Sequence, residues 1–434
     1  MKIFRALGCA GILASWLVSG PAAAQLTVQI TQGVADPIQV AIVPFGWAAA
    51  GAAPWDVAST IDSDLARSGR FAPLPRSDML EFPHTASEVD AANWRLLKVD
   101  YVVVGKLVAM ADGRFELQYE LLNALTGQRL LGQAIPSGRE SLKLASHRAS
   151  DAIFEKIIGM RGAFATRIAY VAADGPPQGR RFRLIVADSD GANPRVVMQS
   201  GQPIMSPAWS PDGTSLAYVS FEGGVSSVFV QQLATGQRAR VSARSGINGA
   251  PAFSPDGRQL ALALSRRDGN VDVYLLTLAN QQLARLTDSP AIDTEPAWSP
   301  DGKQVYFTSD RGGSAQIYRV ASSGGSAERV TFEGNYNARP RVSPDGKSLA
   351  VVTLDQKAYR IALLDLERRG SRFLTSGRQD ESPSFAPNGA IIIYATRDGR
   401  RGVLATVSAD GRVQQRLAGD QGDIREPAWS PYLQ

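Results

Sequence analysis

Residues that carry chemistry are scarce in this chain. Of 434 residues, one is cysteine, Cys9, and two are histidine, His84 and His147. Nothing after position 147 can supply the histidine of a Ser-His-Asp triad, nor a Cys or His ligand for zinc. A G-x-S-x-G elbow, a P-loop and a G-x-G-x-x-G opening a helix are all missing. Gly312-Gly313 and Gly324-Gly325 fall between strand-like runs and read as turns. His84 lies in a Pro-rich loop and His147 on a polar helix face, so both are expected at the surface. Lys and Arg never form a block. The formal charge of +5 becomes +3 when Lys2 and Arg5 of the leader described below are subtracted (5 − 2). That mild, dispersed surplus argues against nucleic acid as a partner. No apolar run reaches the length of a membrane-spanning helix.

What is abundant is repetition. Pro296-Ala297-Trp298-Ser299-Pro300-Asp301-Gly302 recurs from Pro207 and Pro251, more loosely from Pro340 and Pro383, and finally as Pro427-Ala428-Trp429-Ser430-Pro431. The first prolines are spaced 44, 45, 44, 43 and 44 residues apart. That period is the mark of a β-propeller blade. Within each copy an apolar-aromatic stretch runs into Ser-Pro-Asp-Gly and then an alternating apolar run. Pro presets one turn position, Asp tolerates the next, and Gly eases the return to extended chain. The recurring carboxylates therefore read as turn residues rather than a catalytic pair. Three strand-like runs, residues 167–172, 182–188 and 195–198, precede the first motif and lack an inner strand. The last copy is an inner strand with nothing after it. Six blades closed by the C-terminal strand follow, which removes the exposed sheet edge of an open array.

The chain starts with Met1-Lys2-Ile3-Phe4-Arg5, an apolar run, and Pro21-Ala22-Ala23-Ala24. This predicts a secretory signal peptide over residues 1–24, cleaved after Ala24, and a periplasmic mature protein without cysteine. Residues 25–36 form a separable segment in which Leu26, Val28 and Ile30 alternate with Thr27, Gln29 and Thr31. It suits either an edge strand or a detachable tail that adds to a partner's sheet. Residues 37–160 read as an α/β domain. Helices are expected at 54–67, 89–97 and 142–158, and strands at 39–43, 71–74, 101–110, 116–123 and 128–135, with hairpin turns at Asp112-Gly113 and Thr126-Gly127. Residues 161–434 are the all-β propeller. In such a ring the motif strand is innermost, so the residues before each motif proline converge on the axis: Ser206, Ala250, Glu295, Arg339, Ser382 and Glu426. Their neighbours are Met205, Gly249, Thr294, Ala338, Glu381 and Arg425. A mouth mixing small residues with Glu and Arg suits the grip of a protein or peptide.

The pattern resembles the TolB family. The resemblance rests on Val40-Ala41-Ile42-Val43-Pro44-Phe45, Val102-Val103-Val104-Gly105, Ala149-Ser150-Asp151-Ala152-Ile153-Phe154-Glu155-Lys156, Arg167-Ile168-Ala169-Tyr170-Val171, the stretch from Ser206 to Gly213, and the ending Pro427-Ala428-Trp429-Ser430-Pro431-Tyr432-Leu433. It implies a non-enzymatic periplasmic scaffold supporting outer-membrane integrity and constriction during cell division. Members bind the lipoprotein Pal in the propeller funnel, where bacteriocins compete by imitating Pal. They bind TolA through the mature N-terminus, meet other outer-membrane proteins and lipoproteins, and touch membranes through partners alone. Carried over by motif, Ile247, Asn248, Gly249 and Ala250 together with Asp293, Thr294 and Glu295 form part of the Pal site. Met205, Ser206, Arg339, Glu381, Arg425 and Glu426 complete the mouth. Ile247 departs from members with histidine there. The TolA segment is Gln25, Leu26, Thr27, Val28, Gln29, Ile30, Thr31, Gln32 and Gly33. No cofactor is required, although a funnel-bound calcium is compatible. The competing class is an exported hydrolase or lactonase using funnel carboxylates and a metal.

Overall fold

A computed structural model describes residues 28–30 (backbone only), 37–417 and 422–433. The expected signal peptide, residues 1–24, lies outside these, as do Gln25, Leu26, Thr27, Thr31, Gln32 and Gly33. Strand β1 is Val28–Ile30. The α/β domain contains β2 (Ile38–Ile42), β3 (Gly46–Trp47), β4 (Phe71–Pro73), β5 (Tyr101–Ala109), β6 (Phe115–Asn123) and β7 (Arg129–Ser137). The sheet runs β4-β2-β5-β6-β7, with β2 parallel to both β4 and β5, and antiparallel hairpins from β5 to β7. Gly113 and Gly127, at φ of 80° and 70°, make the two hairpin turns that the sequence placed there.

Helix α1 (Val57–Arg67) starts at Asp56, which accepts the Ser59 N–H at 2.9 Å. Its Val57, Ile61 and Leu65 pack with Ile153 and Phe154 of α3 (Leu142–Ile158) on Leu117 and Tyr119 of the sheet. The opposite sheet face buries Trp94 beneath α2 (Ala91–Leu96), which is shorter than expected because Asp90 caps it only there and a single 3₁₀ turn occupies Ala86–Glu88. His84 is exposed, as expected. His147 departs from expectation: it is 1 % exposed, because the polar face of α3 packs against α1 and the propeller rather than solvent.

Six antiparallel four-stranded blades surround an axis, and β1 adds a fifth strand to the last of them. Blade 1 is built from β8 (Arg167–Asp174), β9 (Arg181–Asp188) and β10 (Arg195–Ser200), with Asp423–Trp429 as its inner strand. Asp423 pairs with Ala173 and Trp429 with Ile168, so the end of the propeller sequence closes the ring as anticipated. Arg167 N–H donates to Ser430 Oγ at 3.0 Å, and Ser430 N–H returns the bond at 2.8 Å.

The repeated turn explains itself atom by atom. Ser210 Oγ donates to Asp212 Oδ1 at 2.5 Å, the Thr214 N–H donates to the same oxygen at 3.0 Å, and the Ser215 N–H donates to Ser210 Oγ at 2.9 Å. Ser254–Asp256, Ser299–Asp301 and Ser343–Asp345 repeat the Ser–Asp bond. Each turn glycine has a positive φ and sits against the preceding turn's proline: Gly257 on Pro211, Gly302 on Pro255, Gly346 on Pro300, Gly389 on Pro344. Gly213 meets Pro431 and Leu433, which completes the circle.

Candidate functional site at the propeller axis

The α/β domain sits on the end of the propeller that carries the Ser-Pro-Asp-Gly turns. Arg67 NH2 donates to Ser189 Oγ at 2.9 Å, and Lys143 pairs with Asp190 at 2.6 Å. The strand starts that hold Met205, Ile247 and Thr294 therefore open at the far end.

Every inner strand carries the same irregularity. Its register slips across the residue before the motif proline, between Met205 and Ala208, Gly249 and Ala252, Thr294 and Ala297, Ala338 and Arg341, Glu381 and Ser384, and Arg425 and Ala428. At each slip the pre-proline residue is left-handed: Ser206 (51°), Ala250 (47°), Glu295 (54°), Arg339 (55°), Ser382 (56°) and Glu426 (52°). L-residues pay about 1–2 kcal/mol for this conformation, and a following proline ordinarily favours extended backbone. Six such bulges turn the chain inward at one level and form a throat above a cavity of about 370 Å³.

The charged residues of the throat are engaged with one another. Arg339 Nε lies 2.8 Å from Glu295 Oε1, its NH2 is 3.9 Å from Glu426 Oε1, and its NH1 donates to Ser382. Glu295 Oε2 also accepts the Arg339 N–H and Thr308 Oγ1, each at 3.0 Å. Glu426 accepts the Ser206 N–H in the same way. Each glutamate thus caps the bulged backbone of the next blade. Burial opposes the Arg339 charge, but Glu295, Glu426 and Glu381 together raise its pKa above the ordinary value.

The structure brings the expected segments together at one end of the axis but does not expose all of their side chains. Asn248 and Asp293 are 0 % exposed. Asn248 holds its own loop by accepting from Ser242 Oγ and the Arg244 N–H and donating to Arg244 O. Asp293 takes both its bonds from Arg311 NH2, at 3.0 and 2.8 Å. Neither side chain reaches solvent at the mouth. Met205 and Ile247 do, with Gly249, Ala250, Thr294 and Ser206 half-buried beside them. Glu381 and the exposed Arg425 line a second cavity of about 350 Å³ beside Arg339. Sequence reasoning missed the apolar rim: Val225, Ile292, Phe332 and Tyr359 are exposed at 57, 51, 60 and 39 % on the same end. Aligning the residue four before each motif proline shows an apolar or aromatic side chain at Ile247, Ile292 and Tyr336, a signal that was available.

The N-terminal segment is seen only at β1. Its backbone pairs antiparallel with Val413–Arg416, the outer strand of blade 6, with Val28 opposite Gln415 and Ile30 opposite Val413.

The sequence matches the TolB amino-terminal domain over residues 26–130 and the TolB beta propeller domain over residues 154–433. It is 51 % identical to the Tol-Pal system protein TolB of Xanthomonas oryzae pv. oryzae (strain MAFF 311018), across 94 % of this chain and 93 % of that one. It is 52 % identical to its namesake in Thioalkalivibrio sulfidiphilus (strain HL-EbGR7), across 95 % of both. The crystal structure of TolB from Acinetobacter baumannii superposes with a TM-score of 0.86 at 40 % identity, covering 94 % of this chain and all of that one.

Proposed function

The chain belongs to the TolB family, and from that premise we propose that it is an exported, non-enzymatic component of the Tol–Pal system in the periplasm. It binds the lipoprotein Pal at the propeller mouth and TolA through residues 25–33, supporting outer-membrane integrity and constriction during cell division. The observation that carries this reading is the contrast between rim and throat. Exposed apolar side chains surround the opening, as in the centre of a protein interface. Glu295 and Glu426 below them are already paired with Arg339 and spent on backbone N–H groups.

The same contrast disfavours a hydrolase. Glu295 and Glu426 share Arg339, and Asp293 is locked to Arg311. None is placed as an unencumbered base or metal ligand in the channel. For the tail, β1 supports the proposal because a segment that pairs with one sheet edge can pair with another. No helix among the described residues is long and apolar enough to cross a membrane.

The test is calorimetry with soluble Pal and with the TolA C-terminal domain. Ile292→Asp should weaken Pal binding by about 1–3 kcal/mol, as loss of an interface anchor does, and leave TolA binding intact. Deleting residues 25–33 should abolish TolA binding and spare Pal. Unchanged Pal affinity in both Ile292→Asp and Met205→Asp would sink the rim reading, and TolA binding by the deleted form would sink the tail reading.

A further inference from the structure

The junction between the two domains contains a buried polar cluster that partner binding at the funnel leaves unexplained. His147 Nδ1 lies 2.7 Å from Asp64 Oδ2 on α1. His147 Nε2 is buried and has no hydrogen-bond partner. Facing it are two carboxylates, Asp188 at the end of β9 and Asp190 in the turn that follows. Asp190 Oδ2 is 3.8 Å away, and Asp188, Asp190 and His147 each offer a ligand atom within 4.8 Å of the others. Around them, Arg67 NH2 lies 2.9 Å from Asp64 Oδ1 and donates to Ser189 Oγ at 2.9 Å, while Lys143 Nζ is 2.6 Å from Asp190 Oδ2.

Three physical points converge. First, when Nδ1–H donates to Asp64, Nε2 keeps a lone pair, and that lone pair faces a carboxylate oxygen. Two acceptors oppose each other. A separation of 3.8 Å is too long for the N–H···O bond that protonation would provide, which needs about 2.7–3.2 Å. Ligand atoms each about 2.0–2.2 Å from a shared metal lie about 2.9–4.1 Å apart, depending on the angle between them. Second, with a neutral imidazole Asp64, Asp188 and Asp190 outnumber Arg67 and Lys143 by one, so the cluster has room for one further positive charge, supplied by the imidazolium that Asp64 and Asp190 favour against burial or by a bound ion. Third, a carboxylate on the far nitrogen is the usual support of a metal-bound imidazole, fixing its tautomer and orientation.

We propose that His147 Nε2, Asp188 and Asp190 form a site for a divalent transition-metal ion of the zinc type, tying α3 to the first propeller blade. One nitrogen and two carboxylates suit Zn²⁺ or Co²⁺ better than Mg²⁺ or Ca²⁺, which favour all-oxygen shells. Asp64 positions the imidazole. Lys143 is the rival cation: its ammonium occupies Asp190 Oδ2 and must swing away when the ion enters. The sequence alone could not assemble this site, because its histidine and its carboxylates belong to different domains.

The experiment titrates untagged, chelator-stripped protein with Zn²⁺ by calorimetry and with Co²⁺ by visible absorption. One zinc per chain is expected, with no heat from Mg²⁺. His147→Ala and Asp190→Asn should each weaken binding by about tenfold or more, Lys143→Met should tighten it, and His84→Ala should leave it unchanged. A readout on the unaltered chain guards against misfolded variants. With only two histidines, Co²⁺ should shift or broaden the imidazole resonances of His147 and leave those of His84 sharp. No zinc binding at millimolar concentration, selective perturbation of His84, or equal affinity in His147→Ala would each overturn the proposal.

Discussion

Replacing Arg339 by methionine removes the guanidinium that lies within ion-pair distance of both Glu295 and Glu426. An exposed ion pair contributes about 0–1 kcal/mol, whereas stripping one partner from a fully buried pair costs about 3–5 kcal/mol. The Arg339, Glu295 and Glu426 side chains retain 29, 22 and 13 % exposure, so the throat lies between these limits. A loss of about 2–3 kcal/mol is expected for Arg339→Met. Much of it reflects two carboxylates left facing one narrow opening. Lysine should recover only part, because Arg339 reaches Glu295, Ser382 and Glu426 through three different nitrogens. Urea denaturation followed by tryptophan fluorescence suits the measurement, since Trp209, Trp298 and Trp429 line the cavity beneath the throat. Glu295→Gln should cost less alone, because its remaining oxygen still accepts from Thr308 and the Arg339 N–H. Combined with Arg339→Met it should show a coupling of about 1–2 kcal/mol. Single losses that add within about 0.5 kcal/mol would mean that the three residues do not form one network. For the same reason Glu295→Lys is a poor probe of the proposed Pal recognition: it would weaken any such binding through the throat as readily as through contact.

Ala250→Gly should be neutral to stabilising by up to about 1 kcal/mol, because relief of a left-handed residue outweighs or matches the added unfolded-state entropy. A loss above about 1 kcal/mol in urea midpoint analysis would refute strain at the bulge. Gly105→Ala should cost more than about 3 kcal/mol, because a Cβ there would meet Gln118 O and the Phe45 ring at 2.4 Å; a near-wild-type melting temperature would contradict that packing. Burial pushes the Asp151 carboxyl up to about 6, against the lowering effect of the Phe164 and Ala165 N–H groups that it accepts. Since the folded state favours its protonated form, its contribution is intact below the unfolded value of about 3.9 and is lost as pH rises through about 6. Asp151→Asn should therefore flatten the fall in melting temperature over that window, and an unchanged pH profile would count against this assignment.

Local pattern carried much of the fold. The Ser-Pro-Asp-Gly turns, the closing strand and the bounds of α3 are written in spacing and turn chemistry that neighbours along the chain enforce. What escaped depends on residues distant in sequence. Glu295 and Arg339 sit 44 residues apart, one repeat, so their pairing appears only once blades are placed side by side. The family resemblance implies Asn248 and Asp293 as funnel contacts. Yet Asn248, Asp293, Asn337 and Asp380 occupy the same place in four repeats, and all are buried. That recurrence was legible as loop bracing. The polar stripe bearing His147 reads as solvent-facing on an isolated helix, and only domain packing reverses it. The strand β1 had the alternation of an edge strand, but alternation does not name the edge it joins.

Closure of the ring has a consequence for how the molecule is made. Trp429 donates its indole N–H to Thr166 across 263 positions of sequence. Blade 1 thus stays incomplete while nearly everything between those residues is being synthesised and exported. Until Asp423–Trp429 emerges, β8 offers bare hydrogen-bonding groups, a target for proteases and for aggregation. A product cut short before that strand would advertise its own failure, so envelope quality control could separate finished from unfinished copies by a single missing strand.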